Sequence, residues 1–214
     1  RLLLSPYPRR GLELLVHTGI CDIVLPEVSA LQDTVDEHRR HKDVYEHTLT
    51  VLQQAMDLET GPDGAVPGPD LRLRLAALMH DIGKPATRRF MPDGTVTFHA
   101  HDYVGARMTA KRMRALHFDK QTIKDVSRLV ELHLRFHGYA DSPWSDSAVR
   151  RYVTDAGTLL ARLGCLTRAD VTTGNRRKAA MLSHAYDDLE RRIEALRQQE
   201  ELASIRPELD GQEI

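Results

Sequence analysis

The sequence predicts an all-α fold. Its apolar residues recur mainly at the three- and four-residue spacing of amphipathic helices, and the strict alternation typical of strands is almost absent. Segment 88–98 is the one hairpin candidate, because its Asp93-Gly94 pair supplies the positive φ that a tight turn needs. With 214 residues, the chain is long enough to bury an ordinary core.

The helices are predicted in order from this periodicity. Asp70 is a suitable N-cap for a helix that follows the turn-rich loop 61–70, and Asp102 is expected to cap a later one. In the helix over 43–59, His47 lies at the edge of an apolar stripe. The full set of expected helices covers 11–17, 26–32, 43–59, 71–81, 103–116, 120–137, 146–154, 157–171 and 175–202.

Composition argues against several classes of protein. Cys21 and Cys165 lack a CxxC spacing, so neither a disulfide framework nor a thiolate zinc site is expected, and a reducing, cytoplasmic setting is favoured. No apolar run approaches the roughly 18 residues of a membrane span, and segment 1–10 lacks the layout of a signal peptide, so we expect a soluble protein without a membrane partner. Because the first residue is not Met, a piece of a longer protein is expected.

The charge distribution is uneven. The net charge of −1 argues against a strongly basic nucleic-acid binder. From Asp187 onward, however, nine acidic residues oppose four basic ones, which leaves the preceding part of the chain positive. The front of the chain is therefore better suited to anions than its C-terminal part.

Two histidines and two aspartates from three predicted helices carry the strongest chemical signal. A single histidine on an apolar face is more often a core residue than a ligand, but here His47, the adjacent His80-Asp81 pair and Asp170 could converge on one point. Buried carboxylates are costly unless they are paired or bind a metal. A nitrogen and oxygen set without thiolate suits Mg²⁺, Mn²⁺, Co²⁺, Ni²⁺ or Fe²⁺ with open positions for water, which is an arrangement that can activate water toward a phosphoryl group.

The order His47, His80-Asp81, Asp170, with HDIGKP beginning at the pair, resembles the HD superfamily of metal-dependent phosphohydrolases. Longer segments are similar to the body of bacterial CCA-adding tRNA nucleotidyltransferases and poly(A) polymerase-like proteins: HKDVYEHTLTVL, LRLAALMHDIGKPATRRF, TVTFHAHDYVGARM, LVELHLRFHGY and LTRADVTTGNRRKA. GLELLVHTGICDIVLPEVSAL resembles their neck helices. Nucleotidyl transfer in that family depends on a head with an Asp-x-Asp pair, which this sequence lacks, so the head is expected to be absent from this chain.

The resemblance implies an HD-domain helical bundle and a division of the chain. We expect a neck-like helical segment over 1–36, an HD phosphohydrolase-like body over 37–173, and a C-terminal helix with the start of a tail over 174–214. It also implies metal ligation by His47, His80, Asp81 and Asp170. The likeness extends over nearly the whole chain, from about residue 5 to 214.

Further histidines raise the question of a second ion. In two-metal HD proteins, histidines after the HD pair hold that ion, and His101 and His133 are the candidates here, with His99 and His137 behind them. The alternative is that these histidines only order the cleft by hydrogen bonding to the ligands. The divalent metal centre is therefore expected to hold one or two ions.

Asp81 and Lys84 are the candidates for catalysis. Asp81 would hold metal and water, and Lys84 would neutralise charge that develops on phosphate. The alternative for Lys84 is a favourable position at a helix C-terminus.

Several basic residues could contact phosphate or RNA. Arginine's planar fork suits phosphate, whereas such clusters elsewhere are usually solvated faces. Tyr139 and Trp144 either stack on bases or pack internally. The candidate phosphate-binding or RNA-binding residues are Arg88, Arg89, Arg107, Lys111, Arg114, Arg176, Arg177 and Lys178.

Two functions remain open. The first is hydrolysis of a phosphomonoester or a 2′,3′-cyclic phosphodiester in a nucleotide or at an RNA 3′ end such as that of tRNA. The alternative is a non-hydrolytic body that binds tRNA and positions it for the missing head. The sequence leaves open the native metal, the physiological substrate, the choice between CCA and poly(A) addition in the parent, and the oligomeric state.

Overall fold

The computed structural model describes residues 1–32, 34, 43–142 and 144–204. Within these residues the fold is a helical bundle with one two-stranded antiparallel hairpin, so the predicted all-α class is confirmed. A 3₁₀ turn at Leu2–Leu4 precedes the first α-helix, and another at Gly157–Leu159 leads into α11. The other elements are α1 Pro8–His17, α2 Ile20–Val24, α3 Pro26–Ser29, α4 Val44–Asp57, α5 Leu71–Met79, α6 Lys84–Thr87, β1 Arg89–Phe90, β2 Val96–Thr97, α7 His101–Ala115, α8 Lys120–Leu132, α9 His137–Asp141, α10 Asp146–Ala156, α11 Leu160–Ala169 and α12 Arg176–Ser204.

Helix α5 forms the centre of the bundle. Residues 73–79 are all buried, including Arg74, so this helix is enclosed and does not present one apolar stripe. It packs against α4, α8 and α11. Arg74 is accommodated because it donates to both carboxylate oxygens of Glu59 and to the carbonyls of Leu3 and Ser5. The His80-Asp81 pair follows this central helix, and so it lies in the interior.

Side-chain caps start the helices that carry the predicted site. Asp43, Asp70 and Asp119 each accept a hydrogen bond from the backbone N–H three residues later, at the N-termini of α4, α5 and α8. Asp70 also binds Arg162 of α11 through two nitrogens, at 2.7 and 2.9 Å. The predicted cap at Asp70 is therefore present, and it also joins α5 to α11.

The remaining helices surround this centre. Helix α7 packs along α8, and α12 packs against α9, α10 and α11. The N-terminal helices are tied to the rest by two ion pairs, Arg9 with Glu46 at 2.7 Å and Arg112 with Glu27 at 2.8 Å. Within the described ranges, every helix is too short or too polar to serve as a membrane span.

The structure differs from the predicted helices at several points. The predicted helix 120–137 ends early, at Leu132, and the short helix α9, which starts at His137, was not predicted. Helix α7 begins at His101, so Asp102 lies in its first turn, and the N-cap is Ala100 with a left-handed φ of 61°. The short helices α2 and α6 were not predicted. The expected boundary between residues 36 and 37, and the expected tail from residue 205, lie outside the described residues.

Candidate metal centre

Three helix segments bring the first predicted ligand set together. His47 is in the first turns of α4, His80 follows the last residue of α5 with Asp81 next to it, and Asp170 follows the last residue of α11. His80 and Asp81 are buried, and the side chains of His47 and Asp170 are only 16% and 14% exposed. The predicted convergence of these four side chains is present.

The four side chains meet at short distances. His47 Nε2 lies 3.0 Å from Asp170 Oδ1, 3.3 Å from His80 Nε2 and 3.5 Å from Asp81 Oδ2. His80 Nε2 lies 3.2 Å from Asp81 Oδ2 and 3.5 Å from Asp170 Oδ1. Two imidazole nitrogens and two carboxylate oxygens thus face each other across a small space. Such a set of lone pairs requires a cation, either a proton or a metal ion, at its centre.

Hydrogen bonds at Nδ1, the ring nitrogen that faces away from the ligand set, orient the histidines. The Nδ1 atoms of His80, His101 and His133 each lie 2.6 to 2.9 Å from the backbone carbonyl three residues earlier. His47 Nδ1 lies 3.0 Å from the Thr172 hydroxyl. A Nδ1–H that donates to a carbonyl leaves Nε2 as the free ligand atom, which is the arrangement common to metal-binding histidines.

A second group lies on the other side of Asp81. His101 Nε2 is 3.3 Å from Asp81 Oδ1, and His133, Asp81 and His101 have ligand atoms within 4.8 Å of one another. The His133 ring is buried and its Nε2 has no hydrogen-bond partner within the described structure. This buried nitrogen is therefore available as a ligand atom. Asp81 therefore belongs to both groups.

The carboxylates change the protonation of the buried rings. Burial alone would lower the pKa of His80, but Asp81 and Asp170 raise that pKa to about 10. For His133, burial and the nearby charge of His80 lower the pKa to about 4. Burial would raise the pKa values of Asp81 and Asp170, yet the neighbouring cations and donors hold both well below their usual range. The site is thus an anionic pocket that attracts positive charge.

Lys84 is placed by the turn after the HD pair. Its Nζ lies 2.9 Å from Asp81 Oδ2 and 5.6 Å from the centre of the Phe98 ring. Helix α5 ends at Met79, and Lys84 is the first residue of the four-residue helix α6, so it also lies in the last turn of that helix. The ammonium is one of the cations that keep Asp81 ionised.

The HD turn packs directly on the start of α7. A Cβ at Gly83 would lie 2.1 Å from His101 O and 2.7 Å from Gly105 N, so only glycine fits there without a backbone shift. This close approach brings His101 to Asp81. Gly83 thus has a positioning role for the second group.

The other predicted residues lie further out. His99 is exposed, and His137, whose side chain is 51% exposed, has its Nε2 3.9 Å from Asp170 Oδ2. Arg88 is exposed and lies over the Phe90 ring, and Arg89 is exposed on the hairpin. The remaining cations of the prediction are also exposed: Arg107, Lys111 and Arg114 on α7, and Arg176, Arg177 and Lys178 at the start of α12.

Two aromatic candidates pack internally, and sequence reasoning missed other residues. Tyr139 is buried, and Trp144 packs edge-on to its ring at 5.3 Å, so both belong to the packing between helices.

Thr172 was missed as the partner of His47, although it stands only two residues after Asp170. Tyr103, which is 55% exposed on α7, was not considered as a stacking residue.

Comparisons with protein families match two parts of the chain. The HD domain family matches residues 44–175. A second family, described as the probable RNA and SrmB-binding site of polymerase A, matches residues 1–31. All four residues of the first candidate ligand set fall inside the HD match.

Curated relatives extend the likeness over the whole chain. The A-adding tRNA nucleotidyltransferase of Deinococcus radiodurans is 34% identical over 100% of this chain and 46% of its own length. The CC-adding tRNA nucleotidyltransferase of Thermus thermophilus is 34% identical over 88% of this chain and 42% of its own length. A multifunctional CCA protein of Neisseria gonorrhoeae is 31% identical over 63% of this chain. The chain therefore spans less than half the length of these relatives.

Proposed function

Because the chain belongs to the HD domain family, we propose that it is a metal-dependent phosphohydrolase that acts on a phosphomonoester or a 2′,3′-cyclic phosphodiester. The observation that supports this most directly is the meeting of His47, His80, Asp81 and Asp170 within 3.0 to 3.5 Å, with their free nitrogens and carboxylate oxygens facing each other. Two imidazole nitrogens and two carboxylate oxygens directed at one point form a donor set that suits a divalent ion.

The proposed ligands form two groups that share one carboxylate. His47, His80, Asp81 and Asp170 would hold the first divalent ion, and Asp81, His101 and His133 a second. The mixed nitrogen and oxygen donors suit Mg²⁺, Mn²⁺, Fe²⁺, Co²⁺ or Ni²⁺. When bound, such an ion lowers the pKa of water and polarises a phosphoryl oxygen.

Lys84 is proposed to stabilise charge on the reacting phosphate. Its Nζ is held beside Asp81, and its side chain is only 13% exposed, so the ammonium is fixed at the edge of the ligand set. A fixed cation in a partly desolvated site acts more strongly on developing charge than a mobile surface lysine does. Asp81 orients this ammonium while it also serves both ligand groups. Arg88 and Arg89 are proposed to contact substrate phosphate from the hairpin.

The proposed substrate is a nucleotide or the 3′ end of an RNA, with tRNA as the principal candidate. The relatives that cover this chain are named as tRNA nucleotidyltransferases, and residues 1–31 match a family described as RNA-binding. We propose the division into a neck-like segment 1–36, an HD body 37–173 and a C-terminal helix with the start of a tail 174–214. The tRNA-processing relatives also support a cytoplasmic location.

Hydrolysis and metal content test this proposal together. Purified protein loaded with Mn²⁺, Ni²⁺ or Co²⁺ should hydrolyse p-nitrophenyl phosphate or a 2′,3′-cyclic nucleotide. Asp81→Ala should abolish turnover and remove bound metal, whereas Asp63→Ala, in the exposed loop before α5, should change neither. Metal-loaded wild-type protein that leaves all these substrates intact would refute the hydrolase.

A second candidate is a body that binds RNA without hydrolysing it. The observation that favours it is that Arg107, Lys111 and Arg114 are all exposed on α7. In this case the metal would only stabilise the fold, and Asp81→Ala would lower the melting temperature of a protein that never had phosphatase activity. Charge reversal of the three α7 cations would then weaken RNA binding, which an electrophoretic mobility assay measures. The exposed cations Arg176, Arg177 and Lys178 are proposed as further RNA contacts.

A further inference from the structure

A long open groove runs beside helices α7 and α8. Its volume is about 1010 Å³, and the turn between α10 and α11 closes its far wall. Ala106, Ala110 and Ile123 contribute an apolar floor. The groove residue nearest in sequence to the candidate metal centre is Tyr103, two positions after His101 and therefore on a different face of α7.

The walls of the groove carry cations on both helices. Arg107 and Arg114 line it from α7, and Lys120 and Lys124 line it from α8. All four are exposed, and within the described part of the chain none of them has a carboxylate at ion-pair distance. Lys111, which is on the same helix, does not line the groove.

The acidic groups of the groove are already neutralised. Asp125 pairs with Arg72 at 2.9 Å. Glu131 pairs with Arg128 at 2.9 Å, and Asp155 pairs with both Arg128 and Arg135. The four cations of the groove walls therefore dominate its field, and a chain of phosphates is the ligand that complements them.

An exposed aromatic ring adds a second kind of contact. Tyr103 lines the groove at the end near His101, is 55% exposed, and has the guanidinium of Arg107 6.0 Å from its ring centre. A ring beside a row of cations is the combination that binds single-stranded nucleic acid, because bases stack while phosphates meet the positive charges. A duplex would keep its bases stacked on each other and leave this ring unused.

We propose that this groove binds a single-stranded RNA segment. The inference deepens the proposed function, on which it rests for RNA as the class of ligand. The binding itself depends on Tyr103, Arg107, Arg114, Lys120 and Lys124.

The test compares two variants that lose equal charge. One carries Arg107→Gln, Lys120→Gln and Lys124→Gln, and the matched control carries Arg151→Gln, Arg191→Gln and Arg197→Gln, all exposed and outside the groove. Binding of a fluorescent single-stranded oligoadenylate is measured by anisotropy in EDTA across a range of salt. The groove variant should bind at least about tenfold more weakly, with a salt dependence shallower by about 2 in the log–log slope, while the control stays close to wild type.

A separate variant tests stacking. Tyr103→Leu keeps the charge and should weaken oligoadenylate binding about tenfold without changing the salt slope. Equal losses in the groove and control variants would overturn the proposal, as would tighter binding of duplex RNA or polyglutamate than of the single strand. Hydrolysis of p-nitrophenyl phosphate by the wild type is scored separately, so a failed hydrolase and a failed groove give different results.

Discussion

The contact between Gly83 and the start of α7 allows a sharp test of how the site is built. Gly83 has an ordinary φ of −77°, so its backbone conformation does not require glycine. What excludes a side chain is the distance of 2.1 Å between an added Cβ and the carbonyl oxygen of His101. Because the obstacle is backbone, rotation of a side chain cannot relieve it.

The size of the effect follows from that distance. Ordinary contact of a Cβ begins at about 3.4 Å, so Gly83→Ala must move the start of α7 away from the HD turn by about 1 Å or more. Overpacking of this kind typically costs about 1–3 kcal/mol. In a chain of 214 residues, a loss of about 2–3 kcal/mol lowers the melting temperature by roughly 5–10 °C.

The same displacement should affect the two metal groups unequally. His101 moves with α7, whereas His47, His80 and Asp170 belong to other segments. We therefore expect Gly83→Ala to weaken binding at the Asp81, His101, His133 group and to retain the ion of the first group. Isothermal titration with Mn²⁺, combined with metal analysis, measures both stoichiometry and affinity.

Two other glycines supply graded controls. At Gly105 the nearest atoms to an added Cβ are at 3.3 and 3.4 Å, so Gly105→Ala should cost less than Gly83→Ala. At Gly164, in α11, the nearest atom is 3.9 Å away, and Gly164→Ala should be neutral or stabilising by up to about 1 kcal/mol. If Gly83→Ala melts at the wild-type temperature with wild-type metal binding, the argument from this contact is wrong.

Three further predictions concern stability and protonation. Arg74→Met should cost about 3–5 kcal/mol in chemical denaturation because it leaves the buried Glu59 unpaired, while Arg150→Met, at an exposed pair, should change stability by less than about 1 kcal/mol. Leu163→Ala, at a fully buried position of α11, should cost about 2–5 kcal/mol, and a smaller loss would show that the cavity collapses. Metal uptake near neutral pH should release protons, because His80, whose pKa is raised to about 10, is protonated until an ion replaces the proton. Calorimetry in buffers of different ionisation enthalpy measures this proton release. Equal heats of metal binding in all buffers would contradict the prediction.

The long helices were predictable because their apolar spacing persists over several turns. The end of α8 was not, since Leu134 and Phe136 continue the helical pattern after Leu132, where the helix actually ends. At that point Nδ1 of His133 hydrogen-bonds to the backbone carbonyl of Val130, and the ring lies near Asp81. The apolar pattern carries no sign of this local side-chain hydrogen bond at the end of the helix.

The convergence of the candidate ligands was predictable from the sequence, but the orientation of their side chains was not. Spacing along the chain placed His47, His80, Asp81 and Asp170 at the ends or edges of helices that face inward. Which ring nitrogen points to the centre depends on contacts made after folding, such as the hydroxyl of Thr172 on His47. The close approach at Gly83 likewise joins two segments that are separated by the hairpin.

The groove beside α7 and α8 shows why a candidate binding surface is harder to predict than a set of buried side chains. The sequence groups Arg107, Lys111 and Arg114 by helical spacing, yet Lys111 lies outside the groove, and the cations facing Arg107 and Arg114 come from α8. Charge on a helix face is common and costs little, so its pattern alone carries little information. A buried histidine and aspartate set is costly to maintain without a cation, so it indicates a candidate metal centre more strongly than exposed charge indicates a binding surface.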